Sequence, residues 1–476
     1  MAASNVPSML WSGAVNPFVI MWGEACAIAP DGSEIADMWE WRGQKMIWPT
    51  RHSNTPVWMS GRGLDVPPKF RSRAMLRIEM WDEMDSKARF IGAAAVKLSE
   101  LALDQRCAVR LDLNIGLYGR ALNSRGSPCV VYIRPVPDPV PTRHVFFLRH
   151  GESKWNRAQS NLDLKGMWST VDHPLNDTGR DQAASLRDKI VDYISKHRGS
   201  TEALPAPLRN TLVTPDSGDA EGSWQQQRNQ EAGESAASAA MEPEAERALI
   251  EMFLNTTTIW ASPLTRATCT ALVALEPLLC KPSGDKQLSS LSRQQRPQLV
   301  LTPNAREKRT LGGKDSSGCA IGDDAINGHI RGAMDALFAS VRDTQRDRLE
   351  KLKAVQLETL QCREKWWSSY KESNDVLSHR IDELFSQIRY CEGNGPVIVV
   401  GHSFYIRQVI RKLSGSELLR RSVVAERLSK HKVGNAGLLH CEMDFTQPAG
   451  SNIKDLHLMF GSYIEGASAN EDDDAN

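Results

Sequence analysis

The sequence predicts two successive domains, an all-β domain followed by an α/β domain with a mostly parallel sheet. The front of the chain contains short β-branched or aromatic runs separated by turn residues, which is typical of a β-sandwich. The second half alternates such runs with longer helical stretches, as chains around a parallel sheet do. Between the halves, residues 134–143 carry four prolines. Prolines forbid a helix and stiffen the chain, so we expect a linker at 135–143.

Length and composition limit the classes of protein. The chain has 476 residues, which fits two or three domains, and its 58 Lys and Arg balance 58 Asp and Glu. That balance argues against a nucleic-acid coat protein or a polybasic membrane binder. The nine cysteines are scattered, without zinc spacing, and no run reaches the ~18 apolar residues that span a bilayer. We expect a soluble cytoplasmic protein that binds no nucleic acid.

Five short runs predict the strands of the front domain, residues 1–134. They are Phe18–Met21, Met75–Met80, Ala93–Leu98, Val109–Leu113 and Val130–Ile133. Seven of the 13 tryptophans lie within the first 81 residues. This clustering indicates that the front of the chain differs from the rest.

The second domain is predicted over residues 144–464. Its strands are predicted at Val145–Leu148, Thr257–Trp260, Gln298–Thr302 and Val397–Val400, and its helical stretches at Asp177–His197, Leu264–Cys280, Ile330–Tyr390 and Phe404–Leu413. The third stretch is too long for one globular helix, so we expect a helical insertion of two or more helices at about 330–390. Polar composition predicts a disordered insertion at about 199–243 and an acidic disordered tail at 465–476.

Polar residues suited to phosphate chemistry follow each strand of the second half. They are Arg149-His150, Ser262 to Arg266, Arg306-Glu307 and His402-Ser403. Because the carboxyl ends of parallel strands share one edge, we expect two histidines, two or three arginines and one glutamate to converge there. Ser262-Pro263 predicts an N-cap and a first helical residue that aim a helix N-terminus at the pocket.

Each residue type has a role in phosphoryl transfer. The planar fork of arginine fits phosphate oxygens. A histidine can attack phosphorus through one ring nitrogen while the other nitrogen donates to a carbonyl. A protonated glutamate can give its proton to the leaving oxygen. The pattern therefore predicts an anion pocket with a nucleophile.

Five segments resemble, in order, the motifs of the histidine phosphatase superfamily in its phosphoglycerate-mutase-like branch. They are Arg149–Asn156, Pro174–Ala183, Ser262–Ala271, Arg306–Gly312 and Gly401–Ser403. The resemblance implies a three-layer α/β catalytic domain that works without metal or other cofactor.

The same resemblance assigns roles to individual residues. It implies that His150 is the nucleophile that forms a phosphohistidine, and that Glu307 is the candidate proton donor. The implied binding residues for the phosphoryl group are Arg149, Asn156, Arg266, His402 and Ser403. Of these, Arg149, Arg266 and His402 would also stabilise the transferring charge. A solvated loop residue at Glu307 and a helix or turn residue at Asn156 are the plainer alternatives.

The segment after the acid distinguishes hydrolysis from transfer. Mutases of this family carry an arginine, an aromatic residue and a glycine soon after the acid, whereas here Glu307 is followed by Lys-Arg-Thr-Leu-Gly. This departure favours a phosphatase acting on a phosphorylated small molecule or a phosphoprotein. A phosphoglycerate-type mutase and a catalytically inactive scaffold or binding protein are the alternatives.

Several front segments resemble a C2 domain, the calcium- and lipid-binding sandwich. They are Val15–Val19, Ser53–Trp58, Ile78–Glu83, Phe90–Gly92 and Val96–Leu101. Calcium needs several carboxylate oxygens, but Asn16, Met84 and Arg89 stand at ligand positions, which leaves Asp82 and Asp85. We expect no tight calcium binding. A calcium-independent contact of this domain with a membrane or a protein is the alternative. With a membrane contact, the cytoplasmic protein would be peripheral to that membrane.

Overall fold

The structure is a computed structural model. It describes residues 2–4, 17–28, 34–42, 45–48, 66–70, 72–84, 87–101, 107–113, 129–133, 140–198, 243–280, 298–310, 314–339, 346–363, 365–368, 370–391 and 395–465. The predicted insertion (except Pro243), most of the linker, and the acidic tail beyond Glu465 lie outside these residues. So do Asn16, Asp85 and the C2-like segment Ser53–Trp58.

The front of the chain forms two antiparallel sheets. Its strands are β1 Ala2–Ser4, β2 Pro17–Ile28, β3 Glu34–Arg42, β4 Met46–Trp48, β5 Met75–Met84, β6 Lys87–Lys97, β7 Cys107–Arg110, β8 Asp112–Leu113 and β9 Val130–Ile133. One sheet has the order β3-β2-β5-β6-β8, with β4 also paired to β2, and the other has the order β1-β9-β7. Buried residues of both sheets, such as Ile78 and Val131, share one hydrophobic cluster.

The second half is built on a seven-stranded, mostly parallel sheet, as predicted. Its strands are β10 Thr142–Arg149, β11 Thr258–Ala261, β12 Gln298–Leu301, β13 Leu357–Glu358, β14 Val397–Gly401, β15 Leu438–Asp444 and β16 Ile453–Met459. The order is β13-β12-β11-β14-β10-β15-β16, and among these described strands only β15 runs antiparallel to the rest. The prediction of an α/β fold is confirmed.

Helices cover both faces of this sheet. They are Lys154–Ser160, Leu164–Ser169, Asp177–Arg198, Pro243–Leu254, Thr265–Ala274, Glu276–Leu279, Asp323–Phe338, Arg346–Lys353, Asn374–Tyr390, Ser403–Leu413, Ser416–Arg421 and Val423–Lys430. Alternate residues of β10 enter two different cores, since Phe146 packs in one cluster and Phe147 in the other. The sheet is therefore the middle of three layers.

The long stretch from 330 to 390 is more varied than its helical pattern indicates. It holds the end of helix Asp323–Phe338, then helix Arg346–Lys353 and helix Asn374–Tyr390. Between the last two, Leu357–Glu358 adds a parallel edge strand beside β12. A strand of two residues is too short to show the alternation that identifies strands in a sequence.

Candidate active site

Two histidines meet at the carboxyl edge of the central sheet. His150 follows β10 and His402 follows β14, and these strands pair in parallel with Arg149 opposite Gly401. The ring centroids of the two histidines lie 5.0 Å apart. Residues 252 positions apart in the chain are thus neighbours because parallel strands end at one edge.

His150 is held as a neutral imidazole with a defined tautomer. Its Nδ1 lies 2.6 Å from the carbonyl oxygen of Gly151, and since a carbonyl only accepts, Nδ1 carries the proton. Burial, then the charges of Arg266 and Arg149, hold the pKa of His150 well below its usual range. Nε2 therefore carries a lone pair, which accepts from Arg266 Nε–H at 3.3 Å. This lone pair is the one that can act as a nucleophile.

His402 is fully buried, and its Nε2 lies 2.8 Å from the hydroxyl oxygen of Ser262. Burial and the nearby charge of Arg266 also depress the pKa of His402 well below its usual range. Ser262 follows β11, so a third strand end contributes to the site.

The predicted helix cap at Ser262-Pro263 is wrong. The helix begins at Thr265, and its N-cap residue, Leu264, makes no side-chain cap. The capping carboxylate comes instead from Asp172, whose Oδ1 accepts from the Thr265 backbone N–H at 2.9 Å. Ser262 lies two residues before the N-cap position. Its hydroxyl contacts His402 and accepts from the N–H of Leu264.

Two buried arginines face His150, and each is already paired with a carboxylate. Arg266 Nη1 donates to the Asp315 carbonyl at 2.7 Å, and Nη2 lies 3.4 Å from the Asp315 carboxylate. Arg149 Nη1 donates to Glu465 Oε1 at 2.6 Å. The guanidinium groups, which suit phosphate oxygens, bind the protein's own anions here.

Glu307 lies within electrostatic reach of Arg266. It is half-buried, and burial raises its pKa, although the Lys308 N–H, which donates to Oε1 at 2.9 Å, and the charge of Arg266 oppose that rise. A raised pKa keeps the carboxyl protonated to a higher pH. This arrangement suits a proton donor better than a solvated loop residue.

Arg306, the third arginine expected at the edge, is held elsewhere. Its Nη2 donates to Glu372 Oε1 at 2.9 Å. Arg380 donates to both oxygens of the same carboxylate, at 3.0 and 2.8 Å. Arg380 also donates to the carbonyls of Asn304 and Arg306. These buried contacts brace the loop that carries Glu307.

Two glycines allow the loop after β10 to pack against the segment Pro174–Ala183. A Cβ on Gly151 would overlap the backbone of Gly179, and a Cβ on Gly179 would overlap the backbone of Glu152. Asn176 adds a side-chain bond to Glu152 and caps the Gly179 N–H at 2.8 Å. The second motif therefore braces the residues that orient His150.

Asn156 and Ser403 keep their substrate roles as predictions. Asn156 Oδ1 accepts from the backbone N–H and the hydroxyl of Ser153, which forms a capping box for helix Lys154–Ser160. Ser403 is buried as the first residue of helix Ser403–Leu413. The side chains that the structure brings together are Arg149, His150, Arg266, Glu307 and His402.

Sequence reasoning missed the anions at this site. Glu465 lies 316 positions after Arg149, and Asp315 lies 49 positions after Arg266. Neither carboxylate follows a predicted strand or stands in a recognised motif. The one available sequence signal is that each carboxylate lies outside the predicted helices and strands. That signal is not specific, because many residues share it.

No curated protein matches this chain in sequence. Among solved structures, it is similar to a phosphoglycerate mutase of Bacillus anthracis (14% identity, 64% of this chain and 90% of that chain, TM-score 0.29). It is also similar to a mycobacterial glucosyl-3-phosphoglycerate phosphatase (16%, 66% and 96%, TM-score 0.28). A third similar structure is the C2A domain of a plant extended synaptotagmin 1 (16%, 29% and 90%, TM-score 0.17).

The described part of the chain contains no helix long and apolar enough to cross a membrane.

The family comparison concerns the segment that begins within β10 and carries His150. Residues 145–198 match the model of the histidine phosphatase superfamily (branch 1).

Proposed function

We propose that the protein is a phosphomonoesterase that works through a phosphohistidine at His150. The observation that carries the proposal is the state of this side chain. Its Nδ1 proton is bound by the Gly151 carbonyl, which leaves a neutral Nε2 beside Arg266 and His402. A buried, oriented, unprotonated nitrogen next to cationic groups is what attack on a phosphoryl group requires.

The first half-reaction transfers the phosphoryl group to the protein. His150 Nε2 forms a bond to phosphorus while the bond from phosphorus to the ester oxygen breaks. Glu307 gives its proton to that oxygen, so the alcohol leaves neutral. Arg149, Arg266 and His402 stabilise the charge on the phosphoryl oxygens, which displace the carboxylates of Glu465 and Asp315 from the arginines.

The second half-reaction returns the protein to its starting state. A water molecule forms a bond to phosphorus as the bond to Nε2 breaks, and the Glu307 carboxylate takes the proton of that water. Inorganic phosphate then leaves. The departure from the mutase pattern after Glu307 favours water over a second phosphate-bearing substrate as the acceptor.

The test compares the wild type with His150→Ala and with His379→Ala, a control on an exposed helical residue. The substrates are an aryl phosphate and a panel of phosphometabolites, phosphopeptides and inositol phosphates. We expect phosphate release to fall by at least about 10³-fold in His150→Ala only, with an acid-labile phosphoprotein trapped in the wild type. Interconversion of 2- and 3-phosphoglycerate with little phosphate release would favour a mutase. No release from any substrate would favour a scaffold.

We also propose that the front domain docks the protein, from the cytoplasm, on a membrane surface without tight calcium binding. The support is the set of C2-like segments and the depleted ligand set, in which buried Asp82 lies opposite Arg89 in the β5–β6 pair. The full chain should float with anionic vesicles equally in calcium and in chelator. Flotation in calcium alone would contradict the proposal, and no flotation in either would point to a protein contact.

A further inference from the structure

Three potential metal ligands meet behind the N-terminus of helix Thr265–Ala274. They are the carboxylate of Asp172, the thiol of Cys319 and the imidazole of His329. Cys319 Sγ lies 3.2 Å from His329 Nε2 and 3.9 Å from Asp172 Oδ2, and the last two atoms lie 3.8 Å apart. Cys319 and His329 have no part in the phosphatase proposed above, and Asp172 enters it only as the cap of the helix that carries Arg266.

The three distances fit a tetrahedral zinc ion. Bonds of about 2.3 Å to sulfur and about 2.0–2.2 Å to nitrogen or oxygen place the ligand atoms of such an ion about 3.4–3.6 Å apart. The observed separations of 3.2, 3.8 and 3.9 Å differ from that by a few tenths of an ångström. A thiolate, an imidazole and a carboxylate together are also a ligand set that zinc prefers.

The cluster is held in place and open to solvent. The hydroxyl of Thr265 donates to Asp172 Oδ2 at 2.7 Å and lies 2.9 Å from His329 Nε2, so it orients both groups. Asp172 is 3% exposed, whereas Cys319 is exposed and the His329 side chain is 38% exposed. An ion can therefore arrive from solvent and keep a water molecule at its fourth position.

We propose that Asp172, Cys319 and His329 form a binding site for a single Zn²⁺ ion. On binding, bonds form from zinc to Asp172 Oδ2, Cys319 Sγ and His329 Nε2. The thiol releases its proton to solvent, and the proton that Nε2 donates to the Thr265 hydroxyl is exchanged through solvent to Nδ1, which leaves the imidazole neutral. The site stands on its own residues, so it does not depend on whether His150 is a nucleophile.

The test uses Co²⁺ as a spectroscopic probe on the metal-free full chain. We expect one equivalent to bind with the near-ultraviolet absorption of a cobalt–thiolate bond, and Zn²⁺ to abolish that band. Cys319→Ser should remove the band, and His329→Ala should weaken binding at least about 10-fold. Two control variants should leave the absorption band and the binding affinity unchanged. They are Cys280→Ser, on a partly buried cysteine, and His379→Ala, on an exposed histidine.

A second measurement guards against effects on folding. Because zinc binds only the folded chain, it should raise the melting temperature of the wild type and of Cys280→Ser but not that of Cys319→Ser. Binding without a thiolate band would place the ion elsewhere, for instance on His150 and His402, and would overturn the proposal. A band that survives in Cys319→Ser, or the absence of binding to the wild type, would overturn it as well.

Discussion

The Nδ1 atom of His150 lies 2.6 Å from the carbonyl oxygen of the next residue, Gly151. This contact fixes which ring nitrogen carries the proton and turns Nε2 towards Arg266. The loop that carries this carbonyl approaches the backbone of Gly179 more closely than a side chain there would allow. The loop that orients the nucleophile therefore packs against a glycine that follows His150 by 29 positions.

Replacing that glycine should disturb both stability and catalysis. In Gly179→Ala the new Cβ overlaps the backbone of Glu152, which cannot move without displacing the loop. We expect a loss of about 1–3 kcal/mol in the free energy of unfolding, and a fall of about 10²-fold in kcat as His150 is misplaced. Urea denaturation and phosphatase assays measure the two effects.

The matched control is Gly332→Ala, in helix Asp323–Phe338. A Cβ there meets nothing within 4 Å. Alanine should stabilise the helix by about 0.5–1 kcal/mol without changing kcat. Equal behaviour of the two variants would mean that the contact between Gly179 and Glu152 is not needed.

The pH dependence of phosphatase activity should follow the two groups whose pKa values are shifted, His150 and Glu307. The pKa of His150 is depressed, so the neutral nucleophile is lost only when the pH falls well below 6.5. The pKa of Glu307 is raised by burial, so the proton donor is lost as the pH rises through that value. The value of kcat/KM should therefore fall at low pH only well below 6.5, and at high pH only above the ordinary range of a glutamate.

Glu307→Gln tests whether Glu307 is the group whose loss of a proton lowers activity at high pH, the upper limb of the pH profile. The variant should lose about 10²-fold or more in kcat on an alkyl phosphate, and much less on a nitrophenyl phosphate, whose leaving oxygen needs no proton. Its activity should no longer fall with rising pH in the range where the wild type declines. An unchanged limb would assign that limb to another group.

The contact between Arg149 and Glu465 should compete with substrate. The two side chains form an ion pair of 2.6 Å, and the arginine is buried whereas the glutamate is one-third exposed. In Glu465→Gln the competing charge is removed, so KM should fall about 3- to 10-fold with kcat nearly unchanged. Glu442→Gln, which breaks a longer and more exposed ion pair with Lys454 between β15 and β16, is the control. A higher KM would show instead that Glu465 positions Arg149.

Sequence patterns located the elements that bury apolar residues regularly. Val130–Ile133 coincides with a strand, and β14 begins at the predicted residue, Val397. The parallel arrangement followed from strand–helix alternation, and it placed His150 beside His402. These features depend on local periodicity and on a general rule for parallel strands.

The features that were missed depend on contacts between distant parts of the chain. Asp172 replaces Ser262 as the helix cap because tertiary packing brings a carboxylate to Thr265. Cys319 and His329 are 10 positions apart, which is not a metal spacing on a single helix, and their third partner lies 147 positions before Cys319. No pattern along the chain encodes such proximity.

A buried histidine, His440, flanked by two half-buried ones should make the fold sensitive to acid. His440 on β15 lies between His144 and His457, and its Nε2 is 2.8 Å from His144 Nδ1. Burial, then the charges of these two neighbours, lowers the pKa of His440 to about 3. The unfolded chain, with a histidine pKa of about 6.5, binds the proton more readily. Stability from this group is therefore complete above pH 6.5 and is lost as the pH falls towards 3.

The expected size of this effect follows from the two pKa values. At pH 5 the unfolded chain binds a proton at His440 that the folded chain does not bind. The free energy of unfolding should therefore be about 2 kcal/mol lower at pH 5 than at pH 7.5. His440→Gln removes the titrating group, so its free energy of unfolding should change by about 2 kcal/mol less than that of the wild type between these pH values. His379→Gln, on an exposed histidine, should keep the wild-type difference. Urea denaturation at both pH values measures the difference, and parallel curves for all three proteins would mean that His440 does not set the acid sensitivity.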